Sequence, residues 1–297
     1  MQKSRIIKDR TARAVMFTLT LIAILMVVTV FVGLYLKSSP VFQDRSLWSL
    51  LTSSEWKPMK GEFGFLPFIA GTLWVTVLAI LIALPISLLS AVFLTEYAKS
   101  YVKKIVFPAL DILAGLPSVI YGVWGVLVIV PWISQHVAPH FRDFSTGYTV
   151  LAAGIVLGIM VIPLLVSLFI EVFSSVPMEL REASLALGAT RWQTTKRVLF
   201  RQTYPGVFAA VVLAISRAMG ETIAVLMVCG CVIGIPDGIF DPCYPIPALI
   251  ANNYGEMLSM PLYEAALMFA ALILFIVVMV FNLISRIILY RLEKSMG

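Results

Sequence analysis

Two charged residues inside an apolar run are the most informative chemistry of this sequence. Arg217 and Glu221 lie within residues 207–234, and no other residue of that run carries a charge. If the run is one helix, a spacing of four residues places both side chains on one face. An arginine at the centre of a bilayer costs about 2.5 to 3.5 kcal/mol, so it must face protein, water or a ligand. A fixed cation at that depth predicts a pathway for an anion.

Arginine suits an oxyanion because its planar guanidinium donates two parallel hydrogen bonds to paired oxygens. Glu221 could hold the Arg217 guanidinium, pair with a basic group of a partner, or accept a proton from the anion. A structural Arg–Glu pair that joins two spans is the alternative for both residues. Ser118, Tyr121 and Thr222 could donate hydrogen bonds to the same anion, although hydroxyl groups in spans often bond only to neighbouring backbone.

The composition sets the class of protein that must position these residues. Hydrophobic residues make up 60% of the chain, charged residues 13%, and the mean hydropathy is +0.98. These values predict an all-α polytopic membrane protein. A helix of about 20 apolar residues crosses a bilayer, and six stretches qualify. The six stretches are 14–36, 68–94, 105–133, 148–172, 207–233 and 263–289.

The third and the fifth stretch both place unusual residues near mid-depth. Arg217 lies ten residues after Val207, which is about 15 Å along a helix and half of a core about 30 Å thick. In the third stretch, Gly115 and Pro117 fall at a similar depth, and Pro117 removes a helical N–H donor. Irregular backbone is tolerated there where it faces protein or a cavity. We therefore expect the two spans to form one oxyanion site.

The basic residues predict the orientation of the chain. Of the 22 lysines and arginines, 16 lie in the N-terminal tail, the second loop, the fourth loop and the C-terminal tail, whereas the remaining loops hold five. Because lysine and arginine accumulate on the cytoplasmic side of short loops, both termini are predicted to be cytoplasmic. The net charge of +6 reflects this asymmetry at the lipid headgroups and predicts no nucleic-acid partner.

Cysteine and histidine give weaker signals. Cys229, Cys231 and Cys243 lie near the predicted outer end of the fifth span. An oxidising compartment could link Cys243 to one of the other two, and three free thiols are the alternative. His136 and His140 have a spacing that can hold a metal on a helix, but Pro139 lies between them and no further ligand is near. No metal site is predicted.

The fourth loop has the pattern of a helix, a glycine turn and a second helix. Gly188 can supply the left-handed conformation that ends a helix, and Thr190 can cap the next one. The small or apolar residues that share one face of the first helix are Leu180, Ala183, Ser184 and Leu187. The residues mostly off this face are Glu179, Arg181 and Glu182. By itself the pattern also fits an ordinary helix on the membrane surface.

This loop resembles the coupling loop of permease subunits of ABC importers. Their motif is Glu-Ala-Ala, three residues, and Gly, and here Glu182-Ala183-Ser184 is followed by Gly188. Ser184 replaces the second alanine, and Phe200-Arg201 stands where the family has Leu-Pro. In that family the short helix docks on a cytoplasmic ATPase. The residues to which the resemblance assigns this contact are Glu182, Ala183, Ala186 and Gly188.

Within that family, the chain is most similar to the C-type permease subunits of phosphate importers. The segments that carry the resemblance are Gly71-Thr72-Leu73, Phe93 to Ala98, Leu116 to Gly125 and Arg217 to Thr222. The resemblance implies the six-helix fold of type I ABC importers (MetI-like), an inner-membrane location and inward movement of phosphate by alternating access past Arg217. It also implies a transport domain at 67–289 with its coupling loop at 174–206, preceded by a tail, an anchor span and an outer loop at 1–66. Residues 290–297 would be a cytoplasmic tail.

The sequence contains no Gly-x-x-x-x-Gly-Lys-[Ser/Thr] loop for nucleotide phosphates. The chain is therefore predicted to be no enzyme and to bind no cofactor, with ATP bound by a separate subunit. The resemblance implies a second, A-type permease subunit, two copies of the ATPase, and a soluble phosphate-binding protein on the outer face.

Two other functions stay open from the residues. The same arginine would hold another oxyanion, such as sulfate, molybdate or phosphonate. A membrane enzyme acting on phospholipid headgroups, with Arg217 binding the phosphate and Glu221 as general base, is the alternative from a different class.

Overall fold

The computed structural model describes residues 2–43, 46–142, 144–255 and 260–296. Arg45, which the charge analysis assigned to an outer loop, and Gly297 of the predicted C-terminal tail lie outside these residues. The helices are α1 (Gln2–Gln43), α2 (Leu47–Thr52), α3 (Leu66–Tyr97), α4 (Ser100–Gly115), α5 (Ser118–His140), α6 (Val150–Ser174), α7 (Met178–Ala186), α8 (Arg191–Met219), α9 (Ile223–Val228), α10 (Ile246–Asn253) and α11 (Pro261–Met296). The predicted all-α class is confirmed.

A single short hairpin is the only sheet in the described part of the chain. Its antiparallel strands are β1 (Trp56–Lys57) and β2 (Glu62–Phe63). The Trp56 ring packs edge-to-face on Phe65 and Phe68, with centroids 5.4 and 4.8 Å apart. This aromatic cluster holds the hairpin against the first residues of α3.

Six helices are long and apolar enough to cross a membrane, namely α1, α3, α5, α6, α8 and α11, as the hydropathy predicted. The bounds predicted for two spans are wrong. The third stretch, predicted at 105–133, is divided between α4 and α5. The fifth, predicted at 207–233, corresponds to a helix that begins at Arg191 and ends at Met219.

The early start of α8 has a local cause. The Thr190 side chain accepts a hydrogen bond from the Gln193 backbone N–H at 3.2 Å, and the Gln193 side chain accepts one from the Thr190 N–H at 2.9 Å. This reciprocal capping box starts a helix well before the apolar run begins. The charged residues that follow, such as Arg191 and Arg197, are exposed and form an extension of the span. Counting residues from Val207 therefore does not measure how deep Arg217 lies.

Helices α3 and α6 form the centre of the molecule. In α6, 61% of the residues in its most apolar stretch are buried, which is the largest share among the six spans. Two glycines allow the close approach. A Cβ at Gly154 would lie 2.7 Å from the Leu78 side chain, and one at Gly158 would lie 3.2 Å from the Ala79 carbonyl oxygen. Small residues at such interfaces let two helix backbones pack closely inside a membrane.

Helix α1 lies at the edge of the molecule, and none of its most apolar stretch is buried. It is attached to α11 by an ion pair of 2.6 Å between Lys37 and Glu264. Two aromatic contacts add to this, Phe31 with Phe275 at 5.9 Å and Phe42 with Phe269 at 5.1 Å between ring centroids. The long apolar surface of α1 is therefore left to lipid or to another chain.

Candidate anion site and coupling loop

The fifth span is interrupted next to Arg217. Helix α8 ends at Met219, where the Gly220 N–H bonds to the Arg217 carbonyl and the Glu221 N–H to the Ala218 carbonyl, both at 3.2 Å. The short helix α9 begins only at Ile223. The prediction that Arg217 and Glu221 share one face of a continuous helix is therefore wrong. The tight three-residue turns satisfy the last carbonyls of α8 and end its regular spacing.

The Arg217 side chain is exposed on the surface of the isolated subunit. Leu213, one turn earlier on the same face, is 50% exposed. Neither the Arg217 nor the Glu221 side chain makes a hydrogen bond or an ion pair within the part of the chain that the structure describes. A structural Arg217–Glu221 pair is thus absent, and the guanidinium is not enclosed by aliphatic neighbours. Because an arginine in a span must be covered, something outside this chain has to meet it.

Thr222 lies within the same interruption, between the two helices. Its hydroxyl donates a hydrogen bond of 3.2 Å to the Gly220 carbonyl oxygen. The side chain is partly exposed, as is that of Glu221. The oxygen of the Thr222 hydroxyl therefore lies against the backbone that links Arg217 to α9.

The third span is interrupted at Leu116 and Pro117, between α4 and α5, so the predicted irregular backbone is confirmed. Pro117 has no N–H, and the Leu113 carbonyl loses its usual helical donor. The Tyr121 hydroxyl donates to this carbonyl at 2.7 Å, and the Leu116 N–H does so at 3.3 Å. Tyr121 is buried, with 6% of its surface exposed. The hydrogen bond from the Tyr121 hydroxyl therefore stabilises the break. Contact of Tyr121 with an anion stays a prediction.

The two interrupted spans pack together beyond their breaks. A Cβ at Gly122 of α5 would lie 2.6 Å from the Met227 sulfur and 3.3 Å from Cα of Ala224 in α9. A Cβ at Gly125 would lie 2.9 Å from the Val228 side chain. Ser118, the first residue of α5, is partly exposed. The structure thus brings the third and fifth spans into contact, as the sequence predicted.

The polar side chain beside Arg217 was not identified from the sequence. Asn282 of α11 donates a hydrogen bond of 3.0 Å to the hydroxyl of Ser216 and another of 2.8 Å to the Val278 carbonyl oxygen. This contact joins the last span to α8 at the residue before Arg217. The sequence signal would have been a lone amide in an otherwise apolar span, a residue type that often bonds between helices.

The coupling loop has the predicted form. Helix α7 is followed by Gly188, whose φ of +83° lies in the left-handed region, and by the Thr190 cap. Leu187 is 91% exposed, an unusual position for a large apolar side chain. Met178, Leu180 and Leu185 of α7 are exposed as well, and a group of exposed apolar side chains is typical of an interaction surface. The residues predicted to contact an ATPase, all exposed, are Glu182, Ala183, Ala186 and Gly188.

Ser184, the departure from the family motif, has a contact that alanine could not make. Its hydroxyl lies 2.9 Å from the hydroxyl of Thr194, which is buried. This hydrogen bond joins α7 to the start of α8. The substitution therefore adds a link between the two helices of the loop.

The three cysteines are free thiols in the structure. The sulfur atoms of Cys229 and Cys231 are 3.7 Å apart, and the Cys243 N–H donates to the Cys229 carbonyl oxygen at 2.9 Å. A link from Cys243 to either of the others remains a prediction. No group of three or more His, Cys, Asp and Glu side chains that could hold a metal occurs within the described residues.

Comparison with known proteins identifies the class. Residues 83–297 match the family described as binding-protein-dependent transport system inner membrane component. This chain belongs to that family, and it is a transport component of the inner membrane. The match begins within α3, and the predicted domain boundaries at 67 and 289 stay a prediction.

The chain is similar over most of its length to several permeases. It is 37% identical over 270 residues to the probable ABC transporter permease protein YqgH of Bacillus subtilis, which covers 90% of this chain and 86% of that protein. It is 37% identical over 263 residues to the phosphate transport system permease protein PstC of Xylella fastidiosa, covering 84% and 81%. The probable PstC of Methanocaldococcus jannaschii is 35% identical over 297 residues, covering 94% of each chain.

Solved structures show the same fold. A chain of the inward-facing MetNI methionine ABC transporter has a TM-score of 0.55 and 20% identity, covering 77% of this chain and 94% of that one. A chain of a bacterial ABC transporter that imports alginate has a TM-score of 0.60 and 15% identity, covering 95% and 98%. At these identities the likeness concerns the fold alone. It confirms the predicted importer permease architecture.

Proposed function

We propose that this chain is the permease subunit of an ATP-driven phosphate importer, in which Arg217 meets the anion on its way across the membrane. The observation that carries the proposal is the Arg217 side chain itself. It is exposed at a helix interruption and unpaired within the described chain, in a protein similar over most of its length to phosphate permeases. A guanidinium offers phosphate two parallel charge-assisted hydrogen bonds.

The surroundings of Arg217 support an anion site rather than a structural contact. The interruptions in the third and fifth spans lie on helices that touch, which would place Ser118 and Thr222 hydroxyl groups within the same region. Glu221 leaves the helix and is partly exposed, so it can meet a basic group of a partner or a proton of the anion. In this proposal Tyr121 keeps the third span interrupted, and its hydroxyl proton is donated to the Leu113 carbonyl rather than to phosphate.

The exposed faces support the proposed partners. The face of α8 that carries Leu213 and Arg217 would be covered by a second, A-type permease subunit. The exposed α7 and Leu187 would dock on one of two cytoplasmic ATPase copies, which bind and hydrolyse the ATP. A soluble phosphate-binding protein would deliver the ion from outside. The chain itself would perform no catalysis and hold no cofactor.

Purification of the complete complex tests the proposal. The tagged chain is expressed with its candidate partners, reconstituted into proteoliposomes, and assayed for ATP-dependent uptake of radiolabelled phosphate. We expect an ATPase and a second permease to co-purify, and unlabelled phosphate to compete with uptake far better than sulfate, molybdate or phosphonate. Equal or better competition by one of those anions would assign the importer to another oxyanion. Absence of a co-purifying ATPase, or uptake without ATP, would overturn the proposal.

A further inference from the structure

One arginine of the coupling helix contacts two of the membrane spans. Arg181 projects from α7, and its Nη1 lies 3.0 Å from Oε1 of Glu96. Its Nη2 donates a hydrogen bond of 2.5 Å to the Phe173 carbonyl oxygen. Only 13% of the Arg181 side chain and 12% of the Glu96 side chain are exposed. The contact is therefore mostly hidden from water even in the isolated subunit.

The two partners of Arg181 lie at the ends of the central pair of helices. Glu96 is in the last turn of α3, within the π-helical segment Phe93–Tyr97. Phe173 is in the last turn of α6, where carbonyl groups have no helical donor and a cation is favoured. Helices α3 and α6 pack on each other through Gly154 and Gly158. One guanidinium thus contacts both helices of the molecular centre.

The rest of the loop gives α7 less direct contact with the spans. Ser184 joins α7 to α8 through the hydroxyl of Thr194. Gly188, at the other end, has open space around it, because a Cβ there would meet nothing within 4 Å. Neither Oε1 of Glu96 nor Nε of Arg181 has a hydrogen-bond partner within the described chain. The attraction between the two side chains is therefore electrostatic and includes no aligned hydrogen bond. Removing one partner would leave a largely buried charge without compensation.

We propose that Arg181 is a positioning residue that transmits movement of the coupling helix to the spans. When an ATPase displaces α7, the ion pair with Glu96 and the bond to Phe173 would carry that displacement to α3 and α6. This inference rests on the proposed function, because it requires an ATPase docked on α7. A purely structural contact would change stability and leave the coupling of hydrolysis to transport unaltered.

The test compares phosphate uptake with ATP hydrolysis in the same proteoliposomes. The variants are Arg181→Gln, Glu96→Gln and the exchange Arg181→Glu with Glu96→Arg, each in the complete complex. We expect each single variant to retain the ATPase and to lose about fivefold or more in phosphate moved per ATP hydrolysed, the lower range of a typical coupling between sites. The exchange should recover much of the ratio, although Glu at position 181 cannot donate to Phe173. Lys104→Gln, which changes an exposed basic residue of α4 outside the coupling loop, should leave the ratio unchanged.

An unchanged ratio in both single variants would overturn the inference, and so would an exchange variant as uncoupled as the worse single variant. If the single variants do not accumulate, the double variant with exchanged charges is the deciding test. A ratio of phosphate moved to ATP hydrolysed well above zero in that variant supports the role of the charge pair. Failure of that variant to accumulate, or to couple hydrolysis to transport, rejects this role. The two proposals fail differently. If the wild-type complex shows no ATP-driven phosphate uptake, the proposed function is rejected. If wild-type uptake is normal and the variants still couple ATP hydrolysis to transport, only the role of Arg181 is rejected.

Discussion

The interruptions in the third and fifth spans differ in whether their polar groups find partners within the chain. In the third span, the carbonyl freed by Pro117 is satisfied within the chain, by the Tyr121 hydroxyl at 2.7 Å. In the fifth span, Arg217 precedes the interruption and Glu221 lies within it, and neither side chain has a partner within the described residues. The first break is complete in the isolated subunit, whereas the second is complete only when something else meets it. In the proposed importer, the first break would support the site and the second would receive the anion.

The largest effect is expected for Arg217→Ala. Loss of a charge that pairs with a desolvated anion is worth about 2 to 5 kcal/mol, so uptake should fall by about 30-fold or more. Accumulation and thermal stability of the complex should change little, because the Arg217 side chain has no partner among the described residues of its own chain. Arg217→Lys keeps the charge without the planar guanidinium, so its uptake should lie between that of the wild type and that of Arg217→Ala. If the alanine variant accumulates normally and retains uptake, both interruptions have only a structural role. The proposed difference between the third and the fifth span would then be wrong.

The contact that joins the two interrupted spans is tested by Gly122→Val. The added side chain would meet Met227, which can move, and the Ala224 backbone, which cannot move without shifting α9. Overpacking of this kind costs about 1 to 3 kcal/mol, and the midpoint of thermal unfolding should fall clearly. Gly115→Ala is the matched control, since a Cβ there would meet nothing within 4 Å. Equal behaviour of the two variants would show that α5 and α9 do not depend on this close approach.

Tyr121→Phe tests whether the Tyr121 hydroxyl stabilises the break in the third span or binds the anion. The change removes only the hydroxyl, and the Leu113 carbonyl keeps its longer bond from the Leu116 N–H at 3.3 Å. We therefore expect a loss of about 1 kcal/mol, measured as a modest fall in the unfolding midpoint. Phosphate uptake at a temperature where the complex is folded should be unchanged. A fall in uptake with no change in stability would return Tyr121 to the anion site.

The smallest effect is expected for Thr222→Val in the fifth span. The variant loses a partly exposed hydroxyl bond to Gly220 and keeps the shape of the side chain, so stability should change by less than about 0.5 kcal/mol. If the hydroxyl serves the anion, uptake should fall about fivefold, as one neutral hydrogen bond of about 1 kcal/mol would give. Uptake equal to wild type would assign Thr222 to the backbone alone.

Local chemistry explains what could be predicted from the sequence. The six spans follow from the length of the apolar runs, and the third-span break follows from Pro117, which lacks a donor wherever it stands. Gly188 and Thr190 were predicted for the same reason, since the left-handed turn and the helix cap are decided by the residue itself. The chemistry of Arg217 in an anion pathway was inferred from its charge and surroundings, and it awaits the experiment.

Contacts between distant segments explain what could not be predicted. Gly220 directly follows the last residue of α8, but within a long apolar run a lone glycine is a weak stop signal, and the spacing of Arg217 and Glu221 suggested a continuous helix. The contact of α9 with Gly122 of α5 is likewise invisible in the local sequence. Arg181 and Glu96 belong to segments far apart in the chain, and neither has a neighbour in sequence that would reveal the pair. Asn282 was overlooked for the same reason.

The π-helical turn at Phe93–Tyr97 sets the direction in which Glu96 points. Such a turn accommodates one residue more than an α-helical turn, and each residue of an α-helix advances the side-chain direction by about 100°. Winding the same residues as regular α-helix, in which the turn no longer absorbs the extra residue, would swing the carboxylate by up to about a quarter of a circle away from Arg181. The wide turn therefore fixes the rotation of the last residues of α3, and its form is as important as the residue identities.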